Sequence, residues 1–411
     1  MKKRILISTV GVGKTIVDGI ATSVNSQNPD EVIFLCTQES EAQHRNEIEQ
    51  RITIKKEFFT LSSPSDADRL VLECARIIAD KQGQGEVLVD FTTGTKAMSA
   101  ALYAAALALD IETTSYVEGE RDEGGIVISK TERVKTLMNT IPSAILSSKR
   151  AIELYNSCFY GSALEIAREI RDRIGKLKDM SAKAEALYLI CELSYRWDSF
   201  EFAEAAKTLN IHDKSVLSAM GEMLGCAPDV IQDNIPRLIE YLEKLTESLN
   251  PSLAWELLRN AERRAKTGRF DDAVGRLYRA IEYIGQLKLH DLGLFDGENF
   301  KLDKSASLPE DLNEKLEKGL PLGLKDVFRY LWHLKKNDDS LANGVIENDE
   351  LTTEFQVALA ARNKSILAHG FSPVGKENYE KIRKLAEDLI KRAGIKEPDF
   401  NILNIKVRTL L

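Results

Sequence analysis

Apolar positions along the first 140 residues change period several times. Arg4-Ile-Leu-Ile-Ser-Thr9 is a short β-rich run, and beyond Val10-Gly-Val-Gly13 apolar residues return at helical spacing through Ile16, Ile20 and Val24. A second β-rich run, Glu31-Val-Ile-Phe-Leu-Cys36, follows the turn signal Asn28-Pro29. Arg51 to Phe59 predicts a third strand, Asp66 to Ala79 a helix, and Glu86 to Thr92 a buried strand. The alanine-rich stretch Lys96 to Leu109 predicts a helix, and Ile111 to Val117 a strand pairing with Gly125-Ile-Val-Ile-Ser129 across a Gly-Gly turn. Buried strands interleaved with helices predict a mostly parallel sheet with an antiparallel hairpin at one edge. Sheets of that kind bind ligands beyond the carboxyl ends of their strands.

From Ser143 onward the period is helical throughout. Ile145, Ile152, Tyr155 and Phe159, then Ala163 to Ile170, predict paired helices. Three segments share a loose pattern of an aromatic near a turn followed by small residues: Phe159-Tyr-Gly-Ser-Ala-Leu164, Trp197 to Ala206, and Gly268 to Leu277. Their unequal spacing points to a shared packing logic rather than a solenoid. Asn250-Pro251 is the expected boundary before the last domain. The fold class is therefore α/β plus all-α, divided into residues 1–140 with the sheet, a helical connector over 141–250 and a helical domain over 251–411.

Composition narrows the function classes. A net charge of −8 over 411 residues argues against a surface that wraps nucleic acid as a whole, so any such contact is local. One local excess exists: between Arg259 and Arg279 there are seven basic and three acidic residues, read mainly as a solvated helix face with room for an RNA track. The five cysteines, Cys36, Cys74, Cys158, Cys191 and Cys226, are scattered and read as small core residues of a protein in a reducing compartment. Neither they nor the five histidines show metal-ligand spacing, and no apolar run is long enough for a signal peptide or membrane helix. The expectation is a soluble cytoplasmic protein with no metal.

Two loops follow strands in the first domain. Ser8-Thr-Val-Gly-Val-Gly-Lys-Thr15 ends like a phosphate-binding P-loop but has Ser8 where that motif needs glycine, so ATP hydrolysis is not expected. Asp90-Phe-Thr-Thr-Gly-Thr-Lys-Ala-Met98 runs a strand into a helix through hydroxyl residues, a glycine and a lysine. Backbone N–H groups at that helix start, the threonine hydroxyls and the Lys96 ammonium would make a receptor for phosphates, with Thr92 or Thr93 as the helix N-cap.

Near the end of the chain, Arg362-Asn363-Lys-Ser-Ile-Leu-Ala-His369-Gly370 sits in a helical pattern that stops at glycine, with Pro373 beyond. On an α-helix seven residues turn through about 700°, so Arg362 and His369 would share one face, roughly 10 Å apart. Cations in a last turn are explained by the helix dipole alone. A guanidinium that clamps a phosphodiester beside an imidazole that moves protons is also a minimal kit for cutting RNA.

Both motifs resemble those of a known family. Arg362 to His369 resembles the R-x(4–6)-H motif of HEPN ribonucleases, in which a polar residue often follows the arginine, as Asn363 does here. Asp90 to Met98 is similar to the ligand motif of CARF domains, the Rossmann-like sensors of CRISPR systems, with Thr93 in place of the first glycine of their usual T-G-G-T-K. In this order the motifs resemble the CRISPR-associated CARF–HEPN ribonucleases of type III systems. The resemblance implies a cyclic oligoadenylate as allosteric activator, held by Thr9, Val10, Gly11, Thr93, Gly94, Thr95 and Lys96, with Thr37 to Ser40 a weaker candidate wall. It implies Arg362, Asn363 and His369 as catalytic residues of a metal-independent endonuclease. Single-stranded RNA would be cut by attack of its own 2′-OH at a composite site in a homodimer. Two other readings stand beside it: a non-catalytic sensor that signals to a partner, and a CARF domain that degrades its own activator.

Overall fold

The computed structural model describes residues 2–62, 66–120, 122–123, 127–128, 131–175, 177, 180–334, 341–363, 371–398 and 406–408. Two compact units divide at 146/147. The first contains β1 (Arg4–Val10), α1 (Ile16–Gln27), β2 (Glu31–Cys36), α2 (Gln38–Arg51), β3 (Lys55–Thr60), α3 (Ala67–Gln82), β4 (Glu86–Asp90), α4 (Lys96–Ala108), β5 (Thr113–Glu118) and β6 (Arg133–Met138). The sheet order is β3-β2-β1-β4-β5-β6, parallel except for β6. Alternation along β1 explains the layering. Ile5 and Ile7 face the core built with α3 and α4, whereas Leu6 and Val10 face the core built with α1 and α2. With helices on both faces, each central strand is apolar on both sides.

Two sequence expectations are corrected here. The residues before β3 form α2, so the third strand begins at Lys55 and not at Arg51. The antiparallel partner of β5 is β6, with Thr113 opposite Met138 and Glu118 opposite Arg133, and not 125–129. The β6 run is exposed along nearly its whole length, so it carries no apolar alternation to announce it.

The second unit is helical. It takes in most of α5 (Thr140–Asn156), then α6 (Tyr160–Ile174), α7 (Ser181–Asp198), α8 (Phe202–Thr208), α9 (Lys214–Leu224) and α10 (Pro228–Lys244). After the break at 250/251 come α11 (Ser252–Lys266), α12 (Phe270–Asp291), α13 (Glu310–Glu317) and α14 (Leu324–Leu334). A small hairpin, β7 (Ile346–Glu347) with β8 (Glu350–Leu351), leads into α15 (Thr353–Asn363), and α16 (Lys376–Arg392) follows.

The three segments with the loose aromatic pattern turn the chain in one and the same way. Cys158, Phe200 and Gly268 have φ of 64°, 63° and 76°, the left-handed conformation that ends a helix. In each, the following N–H reaches back five residues: Phe159 to Leu154, Glu201 to Arg196 and Arg269 to Arg264. Tyr160, Phe202 and Phe270 then open the next helix, and Ala163, Ala205 and Ala273, three positions on, are fully buried where the helices approach.

The basic excess between Arg259 and Arg279 is largely internal, which corrects its reading as a solvated face. Asp198, at the end of α7, accepts hydrogen bonds from Arg263 Nε and Arg264 Nη2, each at 2.6 Å, and from Asn260 Nδ2 at 2.9 Å. Glu256 accepts from Trp197 Nε1 at 2.9 Å and from Tyr241 Oη at 2.6 Å, and Arg276 bonds Asn260 and Asp272. Arg259 reaches Glu397 at 3.1 Å. Only Lys266, Arg269 and Arg279 of the seven are exposed. The bonds to Asp198, Trp197 and Tyr241 reach across the loop between α10 and α11, so the helices before and after it share one polar core.

Two further clamps act elsewhere in this unit, one before α15 and one on α5 and α9. Arg329 on α14 is buried and bonds both Asp311 on α13 and Asp349 in the hairpin turn, each at 2.7 Å, while His333 Nε2 lies 2.8 Å from Asp349. The Arg329 guanidinium holds both carboxyls below the usual carboxylate range. Farther on, Val407 exchanges two backbone hydrogen bonds with the Asn156 side chain at 2.9 and 3.0 Å, and Arg408 N–H donates to Met223 at 2.9 Å.

Candidate functional site

The carboxyl ends of β1, β2 and β3 open into a cavity of about 1050 Å³. Its walls are the β1–α1 loop from Val10 to Gly13, the start of α2 from Thr37 to Glu39, the end of β3 from Thr60 to Ser62, and Gly94 and Thr95 before α4. Thr37 caps α2, accepting from Ser40 N–H at 3.0 Å, and Thr95 caps α4, accepting from Met98 N–H at 3.2 Å. Two helix N-termini therefore border the cavity, each a cluster of N–H groups carrying partial positive charge. An anionic ligand is the complement of such a wall.

Beneath the cavity the two loops are latched together. Thr9 donates its hydroxyl to the Thr93 carbonyl, and Thr93 donates its own to the Thr9 carbonyl. Gly94 has φ of 99°, and a Cβ on Gly11 would come 2.8 Å from Gly94 N, so the backbones touch where only glycine fits. Asp90 is fully buried below them, accepting from Thr92 N–H at 2.9 Å, Ser23 Oγ at 2.6 Å and Ser115 Oγ at 3.0 Å.

Of the seven residues expected to hold a ligand, Val10, Gly11, Gly94 and Thr95 line the cavity. Thr9 and Thr93 do not: both are buried and their hydroxyls are taken up by the latch. Lys96 is exposed at the first position of α4 and is not in the wall, and the N-cap is Thr95 rather than Thr92 or Thr93. The end of β3, Thr60 to Ser62, is a wall that sequence reasoning missed. Its signal was available, since the carboxyl end of any parallel strand beside β1 and β2 must open on the same edge.

In the second unit, Arg362 and Asn363 end α15, and His369 lies outside the described residues. The Arg362 guanidinium lies over the Tyr278 ring of α12, its carbon 5.0 Å from the ring centroid. Nη1 donates to Asn363 Oδ1 at 3.1 Å. Among the described residues no carboxylate pairs with Arg362, whereas Arg263, Arg276, Arg329 and Arg383 all have one. Burial pushes the Tyr278 phenol up and the Arg362 charge beside it pulls it back down. Val374 N–H bonds Asp271 Oδ2 at 3.1 Å, seven residues before Tyr278 on α12, so the chain beyond Arg362 returns to the same face of that helix. Phe371, just past the Arg–His motif, is 96% exposed.

Two family models match this chain in succession, the Csm6 6H domain over residues 144–225 and the Csm6 HEPN domain over residues 244–393, together more than half of it. The chain belongs to the Csm6 family. It is a CRISPR-associated endoribonuclease of the HEPN type. The CRISPR system endoribonuclease Csm6 of Thermus thermophilus is 28% identical over 354 residues, covering 80% of this chain and 73% of that protein. The Csm6 of Enterococcus italicus, solved bound to cyclic hexa-2′-fluoro-hexa-dAMP, has the same fold, with a TM-score of 0.53 and 14% identity over 96% of this chain and 94% of that one. The HEPN match contains α11, α12 and Arg362, and the 6H match runs from α5 to the end of α9. Among the described residues no helix is long and apolar enough to cross a membrane.

Proposed function

We propose that this Csm6-family chain is an RNA endonuclease switched on by a cyclic oligoadenylate bound at the sheet edge of its first unit. The observation that carries the reading is Arg362, a cation without a carboxylate partner among the described residues, inside the HEPN match. The activator's phosphates would meet backbone N–H groups at the starts of α2 and α4 and in the β1–α1 loop, with Lys96 reaching in from the first turn of α4. Gln38 and Glu39, exposed acceptors of the wall, suit the amino group of adenine. Residues 1–140 would be the CARF-like sensor, 141–250 the connector and 251–411 the ribonuclease domain, in a cytoplasmic protein.

Single-stranded RNA would be cut by in-line attack of a ribose 2′-OH on the adjacent phosphorus. That bond forms as the bond to the 5′-oxygen breaks, leaving a 2′,3′-cyclic phosphate and a 5′-OH. A base must take the 2′-OH proton and an acid must protonate the leaving oxygen, while positive charge stabilises the phosphorane. His369 suits the proton transfers and Arg362 the charge, with Asn363 orienting the guanidinium. One histidine does not reach both sides of a phosphate, so a homodimer that apposes two such helix ends supplies the second. The nucleophile belongs to the substrate and the cation to the protein, so the scheme uses no metal.

The deciding experiment is digestion of a fluorescent RNA with cyclic tetra-adenylate and cyclic hexa-adenylate in separate reactions, with and without EDTA. One ring should switch cleavage on, EDTA should leave the rate unchanged, and mass spectrometry should find cyclic phosphate ends. Metal-dependent cleavage leaving 3′-OH ends would overturn the mechanism.

A further inference from the structure

A catalytic guanidinium has two conflicting needs: a fixed position and an uncancelled charge. A carboxylate would fix it, as Asp198 fixes Arg263, but would neutralise the cation and occupy the N–H edge that a phosphate needs. An aromatic face attracts the cation from one side, cancels none of its charge and leaves the in-plane N–H groups free. Arg362 is held in the second way. Its guanidinium lies over Tyr278, and one N–H is directed to Asn363, a neutral acceptor.

Tyr278 is itself well placed to hold something still. It lines a small crevice with Val274, Phe355, Leu359 and Ile382, where α12, α15 and α16 meet. Arg276, two residues earlier, ties α12 to Asn260 and so to the Asp198 network. Among the described residues the Tyr278 hydroxyl has no hydrogen-bond partner, so the ring is the part of the side chain in use.

We infer that Tyr278 is a positioning residue for RNA cleavage, its ring holding the Arg362 guanidinium at the end of α15 with charge and N–H edges open to the scissile phosphodiester. The inference rests on the assignment of Arg362 to the chemistry and adds what holds it. It predicts a ranking of substitutions by ring and not by hydroxyl. Tyr278→Phe keeps the face and should cut RNA within about twofold of the parent. Tyr278→Leu keeps apolar bulk but has no π face, and should lose roughly tenfold in kcat.

The test uses the full-length chain with the cyclic oligoadenylate that activates it, measuring kcat and KM for the two variants alongside their melting temperatures. Affinity for an uncleavable 2′-deoxy-substituted RNA is measured as well, for Tyr278→Leu, for Arg362→Ala and for the pair. The expected pattern is rescue by phenylalanine, unchanged melting for both variants, and no further loss of RNA affinity when Tyr278→Leu is added to Arg362→Ala. A phenylalanine variant as slow as the leucine one, a fully active leucine variant, or additive losses in the pair would overturn the inference while leaving Arg362 in place. Wild-type cleavage by Arg362→Ala would instead remove Arg362 from the chemistry and overturn both readings.

Discussion

At the scale of single residues, the candidate site was legible by residue type but not by orientation. Arg362 stands out in the sequence through its spacing to His369, and the loop glycines through the turns they permit. Thr9 and Thr93 were legible as hydroxyls, yet nothing in a one-dimensional pattern says that they bond each other rather than a ligand. The latch gives a test: Thr9→Val should cost about 1 kcal/mol of stability, read by denaturant melting, because it removes a buried hydrogen bond and leaves the Thr93 carbonyl with Ser99 Oγ at 3.2 Å as its remaining donor. Lys96→Ala should weaken activator binding in calorimetry without shifting the melting temperature, and unchanged affinity would remove Lys96 from the site. Arg329 carries a pH prediction. The carboxyls of Asp311 and Asp349 are depressed in the folded protein, so the stability they contribute is present above the ordinary carboxylate range and is lost as pH falls through their lowered values. With solvent screening of the partly exposed carboxyls, Arg329→Met should cost roughly 1–2 kcal/mol near pH 7, and the gap from the parent should begin to narrow only below about pH 4 and close below the lowered values.

At the scale of elements, long periodic segments read well and edges did not. β2 was read with its observed bounds because a run buried on both faces sits between turn signals. α2 was missed because its fourteen residues are nearly all polar, with only Ser40, His44 and Ile48 buried, so it has no apolar stripe to find. The hairpin partner of β5 was misplaced because Gly125 to Ser129 is more apolar than the exposed strand that in fact pairs. The helical turns show the opposite case, a loose resemblance that resolves into one geometry. In that geometry Gly268 occupies the left-handed position that Cys158 and Phe200 fill at some cost. No atom lies within 4 Å of where its Cβ would stand, so Gly268→Ala isolates the backbone term. It should lower stability by about 1 kcal/mol in a thermal melt, with no loss of packing elsewhere.

At the scale of the whole molecule, charge was the least legible property. A net +4 window read from sequence as surface proved to be largely internal, with Arg263 and Arg264 paired to Asp198, 65 and 66 positions earlier, a residue that no spacing rule connects to them. In the proposed function a second copy of the chain completes the cleavage site, and one measurement separates the models. In a mixed dimer of one parent subunit and one His369→Ala subunit, two histidines serving one site predict almost no cleavage, while independent sites predict about half. The homodimer of His369→Ala should lose at least ~100-fold and still bind the activator.

The buried bonds between Asp198 and the start of the last helices have a practical meaning for anyone cutting the chain. A fragment beginning at residue 244 would retain the whole HEPN match and look like a natural piece to express. It would also strip Arg263 of Asp198, leave Arg264 with Asp272 alone at 3.7 Å, and remove Trp197 from Glu256. Loss of a buried ion-pair network of this kind costs more than a small helical domain has to spare. Dissection of this ribonuclease should begin at or before α7, because the family's two helical modules are inherited here as one folding piece.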